Sequence, residues 1–356
     1  MTHPYRGLPA SQFWNSAVSG IAPGSLDPVI DSGFRISVDD AVATLGSCFA
    51  QHLAASIRDS GYRYLVTEQA PPGAAPEVAA TYGIFSARYG NIYTVRQAVQ
   101  LLERAFDDRT FDDDVWTREN RWYDALRPTV EPGGFATAEE LAHDRARHLD
   151  SVRRLFLESD VVVFTLGLTE GWRSRVSGAV YPIAPGVAAG AFDPEHHEFF
   201  NGDYPSVRAD LEEWLRLLRR VNPSVRVLLT VSPVPLAATY EKRHVWASTT
   251  YSKAVLLAVA QDVARAEDLV DYFPSFEIIT SPLTNSQYYE DDLRSVRDRG
   301  VRHVMRVFRR HYLEADEHQA QHDTAAQLAA YRIESTVICD EDLLAYGGEP
   351  SGEATV

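Results

Sequence analysis

The chain predicts an α/β protein: a doubly wound, mostly parallel sheet between helices, in a three-layer α/β/α sandwich. Three observations predict it. Residues 161–166 (Val161-Val162-Val163-Phe164-Thr165-Leu166) and 225–231 are almost continuously apolar, the pattern of strands covered on both faces. Segments with helical apolar spacing surround them, at 137–157, 207–220 and 252–266. A length of 356 residues, 45% hydrophobic and 24% charged, suffices to bury a large core. Strands alternating with helices in this way give a parallel sheet covered by helices.

The elements follow in order. Residues 1–35 read as irregular. A strand at 41–45 leads through Gly46-Ser47-Cys48 into a helix, where Phe49, Leu53, Ser56 and Ile57 share a face and Gly61 is the stop. The Pro- and Ala-rich stretch 70–80 is a loop, and 95–106 has a helical pattern. The helix at 137–157 opens with Thr137 and Glu140 at capping-box spacing and delivers the strand 161–166. Helix 207–220 and strand 225–231 repeat the unit, helix 252–266 precedes a last strand at 272–279, and 299–313 forms another helix. Two segments break the alternation: 107–135, acidic and then Trp-containing, and 173–205, rich in Gly and Pro. Both are long for simple connections and are expected to act as lids over the strand ends. The expected organisation is one domain over 1–315 with these two insertions. A helical tail over 316–356 follows, with a frayed Gly-rich end.

Composition narrows the function. A net charge of −16 argues against binding nucleic acid or anionic membrane surfaces. The N-terminus lacks a signal-peptide pattern and no apolar run is long enough to span a bilayer, so a cytoplasmic location is expected. The only cysteines, Cys48 and Cys339, are too few for a disulfide framework and lack metal-ligand spacing. His196-His197-Glu198 has ligand-type side chains but no second pair, and reads as lid or surface. No phosphate-binding loop, dinucleotide fingerprint or His-Glu-x-x-His is present, so neither metal nor cofactor is expected.

The most informative run is Ala43-Thr44-Leu45-Gly46-Ser47-Cys48-Phe49-Ala50. A thiol or hydroxyl just past a strand and at a helix N-terminus lies among unpaired N–H groups and the positive end of the helix dipole. Those groups promote a thiolate and can receive an oxyanion. By residue type alone the run reads first as a tight glycine turn beside a small buried cysteine. His52, at i+4 from Cys48, shares its helical face.

Gly46-Ser47-Cys48-Phe49-Ala50 resembles the signature of the GSCFA domain family, which stands near the SGNH/GDSL hydrolases. The chain is also similar to that family at Tyr89-Gly90-Asn91-Ile92-Tyr93-Thr94, Thr165-Leu166-Gly167-Leu168-Thr169-Glu170, Ser232-Pro233-Val234 and Tyr272-Phe273-Pro274-Ser275-Phe276-Glu277. The resemblance implies an SGNH-hydrolase-like fold and an acyl-ester hydrolase or acyltransferase. Its nucleophile is Cys48 or, as second choice, Ser47. It implies an oxyanion or substrate site from Gly90 and Asn91 with Gly167, Thr169 and Glu170. The SGNH relatives carry Asp-x-x-His near the C-terminus. Here His303, supported by Asp298, takes the role of base, although Gly300 stands where the aspartate belongs. The rival alignment on Asp292 puts Ser295 in place of the histidine. By analogy of fold the partner is a small-molecule or carbohydrate substrate, such as an acylated carbohydrate. Arg173 and Arg302 would favour an acidic one. The departures leave a second expectation, a non-catalytic carbohydrate-binding or scaffold protein that keeps the fold. The sequence does not specify an oligomeric state.

Overall fold

The computed structural model describes residues 3–314 and 339–347. Its strands are β1 (Val42–Gly46), β2 (Val115–Arg118), β3 (Arg121–Asp124), β4 (Val161–Leu166), β5 (Glu170–Ser174), β6 (Val180–Tyr181), β7 (His197–Asn201), β8 (Arg226–Val231) and β9 (Val270–Phe273). Its α-helices are α1 (Ala50–Asp59), α2 (Pro76–Ala79), α3 (Val95–Phe106), α4 (Ala138–Glu158), α5 (Tyr204–Val221), α6 (Val245–Ala266), α7 (Ser275–Thr280) and α8 (Asp298–Tyr312).

The central sheet is parallel, in the order β1-β4-β8-β9. Side chains alternate across it, as a strand's two-residue period requires. Val162, Phe164 and Leu166 of β4 join Leu45, Leu229 and Val231 in a core shared with α3, α4, α5 and α6. Val161 and Val163 point the other way, into a core shared with Phe49, Leu53 and Ile57 of α1 and with Val304 and Phe308 of α8. Helices therefore cover both faces. After α1 the chain runs along the outer side of β1, bridged in parallel at Val42 and Tyr64, before crossing back to β4. The winding thus reverses between β1 and β4. In such sheets the crevice past the carboxyl ends of the strands at the reversal is where ligands bind.

The two insertions have structure of their own. Residues 107–135 contain the β2–β3 hairpin, and 173–205 supply most of the antiparallel sheet β6-β5-β7. Buried ion pairs fasten the first insertion to the body. Arg127 binds Asp124 (2.8 Å) and Asp144 of α4 (2.6 Å), and Arg88 reaches Asp144 (3.4 Å) and the Val130 carbonyl. Removing one partner of such a buried set typically costs several kcal/mol, because the other charge is left unpaired. This network holds the segment that carries Gly90 and Asn91.

Two boundaries differ from the sequence reading. The expected strand at 272–279 ends at Phe273 and gives way to α7. Pro274 has no N–H to continue the ladder, and the Ser275 hydroxyl caps the sheet by bonding the Val231 carbonyl (2.9 Å) and Thr230 (2.6 Å). Helix α6 begins at Val245, earlier than the predicted 252, so residues 245–251 are helical too. Residues 315–338 and 348–356, which carry most of the expected helical tail and its Gly-rich end, lie outside the described residues. Among those described, no helix is long and apolar enough to cross a membrane.

The turn after β1 depends on Gly46, which has φ of +123°. A Cβ there would fall inside the van der Waals sphere of the Thr165 carbonyl oxygen. Gly46→Ala is expected to destabilise the fold by more than about 2 kcal/mol in denaturant unfolding. A loss within about 0.5 kcal/mol, the level of an ordinary surface change, would contradict this account of the turn.

Candidate active site at the strand–helix elbow

At the end of β1 the Gly46 carbonyl accepts the Ile92 N–H (2.8 Å), and the Ser47 N–H donates to the Thr165 carbonyl (3.0 Å). The Tyr93 carbonyl accepts the Leu168 N–H (2.8 Å). These bonds lace the loops after β1 and β4 to the segment 89–93, at the point where the winding reverses. The chain then enters α1 through Ala50 N–H to Ser47 O (2.9 Å) and Gln51 N–H to Cys48 O (3.1 Å).

Ser47 and Cys48 diverge from this turn. Ser47 is buried against Gly167, where an added Cβ would lie 3.1 Å from the Ser47 Cβ and 2.9 Å from the Tyr93 carbonyl oxygen. Its hydroxyl has no hydrogen-bond partner among the described residues. Cys48 is 3% exposed, and Cys339 is the largest influence on its thiol. Cys339 opens a C-terminal segment whose 3-10 helix, Asp340–Gly347, lies against the elbow.

That segment is held by several contacts. Arg294 donates to the Cys339 sulfur (3.4 Å) and pairs with Glu341 (3.1 Å) and Asp342 (2.6 Å). Tyr93 contacts the Cys339 sulfur (3.6 Å) and accepts the Asp340 N–H (3.0 Å). The buried Asp340 carboxylate accepts from Asn91 Nδ2 (3.0 Å), the Asn91 backbone and the Thr129 hydroxyl (2.8 Å). Beneath them Lys253 of α6 is 2% exposed and donates to the Gly167 carbonyl (2.7 Å).

Burial and charge set the protonation states. The hydrogen bond to Cys339, then burial and the nearby Cys339 and Glu341 charges, push the Cys48 thiol well above the ordinary thiol range. The same bond lowers the Cys339 thiol, with help from Arg294. Burial lowers Lys253 to about 8, against the opposing pull of Glu341 and Cys48. Burial raises Glu341 and Asp340. A buried amine this close to neutrality can exchange a proton with a thiol at ordinary pH.

The GSCFA family model matches residues 41–308, from β1 through most of α8. The chain belongs to the GSCFA family. Among solved structures this GSCFA chain is similar to a carbohydrate esterase family 3 protein from Talaromyces cellulolyticus (12% identity over 76% of this chain and 94% of that one, TM-score 0.34). It is similar to a Clostridium thermocellum family 3 carbohydrate esterase (11%, 78% and 95%, TM-score 0.32). It is also similar to a mutant acetyl esterase with an acetate ion (13%, 75% and 92%, TM-score 0.32). No curated protein matches it significantly.

Within this GSCFA chain the predicted residues fall into two groups. Cys48, Ser47, Gly90, Asn91 and Gly167 come together at the elbow, Gly90 with φ of +70°. The others stand apart. His303, expected as the base, has its ring nitrogens bonded to partners other than Cys48. Its Nε2–H donates to the Leu26 carbonyl (2.7 Å), its Nδ1 takes the Tyr288 hydroxyl (2.7 Å), and burial lowers its pKa. Both ring nitrogens are thus engaged, one fixing α8 to Leu26 of the N-terminal stretch and the other to Tyr288 ahead of the helix. Asp298 does not support His303 either, since it is exposed at the start of α8, 3.9 Å from Arg302. His52 packs edge-on against Phe49 on the α8 side, where burial lowers it to about 4.

Thr169 is engaged by other partners as well. Its N–H binds Ser252 (3.0 Å) and its hydroxyl donates to Asn201 (2.7 Å). Glu170 accepts from Thr239 (2.8 Å). Ser295 and Asp292 bond each other (2.6 Å), and Arg173 pairs with Glu198 (2.6 Å).

Sequence reasoning missed Lys253, Arg294 and the segment Cys339-Asp340-Glu341. One signal was present: the chain has only two lysines, Lys242 and Lys253, against thirty-two arginines. A cation that can lose its proton therefore stands out inside α6. His303→Gln is expected to cost about 1–3 kcal/mol of stability through its two buried hydrogen bonds. It should leave the alkylation rate of Cys48 unchanged. A Cys48 rate that fell with the stability unaltered would restore His303 to the site.

Proposed function

We propose that the protein is an esterase-like acyl hydrolase or acyltransferase that works through the Cys48 thiol, with Lys253 as its proton acceptor. The observation that carries this reading is a buried thiol at the reversal of the sheet, within the field of a buried lysine held near neutrality. In the proposed cycle neutral Lys253 takes the Cys48 proton, and the thiolate adds to an ester carbonyl. Asn91 Nδ2 and the backbone N–H groups of Cys48 and Gly167 receive the oxyanion. Support comes from Asp340, whose carboxylate Asn91 binds in the resting chain. The Lys253 ammonium then protonates the departing alkoxide and leaves a thioester on Cys48. Water or an acceptor hydroxyl attacks the thioester with Lys253 again as base, which regenerates the thiol. Ser47 serves this scheme as a packing residue under Gly167.

The substrate class we favour is an acylated carbohydrate. Near Glu170, Trp172 packs edge-on with Tyr240 (4.8 Å between ring centroids) and Phe199 (5.8 Å), and Tyr240 is 63% exposed. Such a ring surface suits the apolar face of a sugar. A non-catalytic binding or scaffold role is the second reading. It is favoured by one observation, that both ring nitrogens of His303 are taken up by Leu26 and Tyr288.

With p-nitrophenyl acetate, turnover is expected to rise with pH through about 8, because Lys253 accepts a proton only once its own has left. Lys253→Met should lose about 10²–10⁴-fold and abolish that limb of the profile. Cys48→Ala should lose at least as much, and Ser47→Ala should retain turnover. A rate independent of pH through that range, or an active Cys48→Ala chain, would contradict the mechanism. No turnover in any chain would favour the binding role.

A further inference from the structure

The elbow thiol faces a second thiol from the far end of the chain. Cys48 is buried, whereas Cys339 is partly exposed. The stretch whose Ile92 N–H bonds Gly46 at the elbow also holds Asp340 through Asn91 and touches the Cys339 sulfur through Tyr93. Each thiol shifts the titration of the other. Arg294 (3.4 Å) and the Tyr93 hydroxyl (3.6 Å) also contact the Cys339 sulfur. A guanidinium and a thiol donor around one sulfur stabilise its thiolate, the form that attacks disulfides. The segment is pinned on both sides, by Asn91 and Thr129 on Asp340 and by Arg294 on Glu341, so the sulfurs are held together rather than meeting by chance.

We propose that Cys48 and Cys339 form a reversible dithiol–disulfide site, oxidised by small-molecule disulfides, whose bond ties the C-terminal segment across the elbow. The more accessible Cys339 thiolate attacks one sulfur of the disulfide, forming a mixed disulfide and expelling one small thiolate. Capping Cys339 removes the partner that holds the proton on Cys48. The Cys48 thiolate then attacks the Cys339 sulfur and expels the second small thiol. Two cysteine thiols become one disulfide, one external disulfide becomes two thiols, and the two cysteine protons leave with them. The site itself stands on the two sulfurs. Its consequence for catalysis, blockade of the nucleophile, rests on the reading of Cys48 above.

The test exposes the reduced full chain to oxidised glutathione without oxygen, quenches with acid, alkylates under denaturing conditions and measures intact and peptide masses. The wild-type chain is expected to lose two hydrogens and resist alkylation at both cysteines. Its Cys48 and Cys339 peptides should be cross-linked, and dithiothreitol should reverse the change. Cys48→Ser should instead keep a glutathione adduct on Cys339. A wild-type chain that retains such an adduct with Cys48 still alkylatable, or that stays alkylatable at both cysteines, would overturn the proposal. If the disulfide forms but ester turnover persists in the oxidised chain, the pair stands and Cys48 is not the nucleophile.

Discussion

Where β1 leaves the sheet, the chain turns in the space beside the Thr165 carbonyl, and a residue without a Cβ is what fits there at φ of +123°. The rest of the site depends on that turn. It sends Ser47 inward beneath Gly167 and Cys48 outward toward Lys253, Arg294 and the C-terminal segment. It also starts α1 at Ala50, whose apolar face then anchors the layer that α8 completes. A shift of one residue in the turn would exchange the two side chains and set the thiol under Gly167 in place of the hydroxyl.

Much of the fold was legible because parallel strands buried on both faces must be apolar throughout. Residues 161–166 left little else to read, and β4 occupies those positions. Local chemistry misled at 272–279, where an apolar run spans a proline and a serine that end the sheet. The near half of the site was legible for a similar reason. Gly46, Gly90 and Gly167 lie beside the strand ends that the pattern locates. The far half was not. Lys253 is separated from Cys48 by seven strands and five helices in sequence, and Cys339 by almost the whole chain. No local spacing brings such residues together. His303 was misplaced because a histidine on α8 looks available from sequence, while its partners Leu26 and Tyr288 are visible only in three dimensions.

The electrostatics describe a covered site. With Cys339 and Glu341 in place, Cys48 keeps its proton and Asn91 is engaged by Asp340. On the proposed mechanism, entry of an acyl group would require the segment to yield at Asn91, which already holds the Asp340 carboxylate. Lys253 is buried and donates to the Gly167 carbonyl, with Glu341 of the segment as a nearby opposite charge. On the proposed mechanism the site would combine a fixed base with a covered nucleophile.

The central claim is that the acyl group passes through the sulfur of Cys48. Its most direct test is acid quenching during turnover of p-nitrophenyl acetate, followed by peptide mapping of the trapped protein. The account predicts an acetyl thioester on Cys48. An acetyl ester on Ser47, or acetyl on Cys339 with Cys48 unmodified, would contradict it.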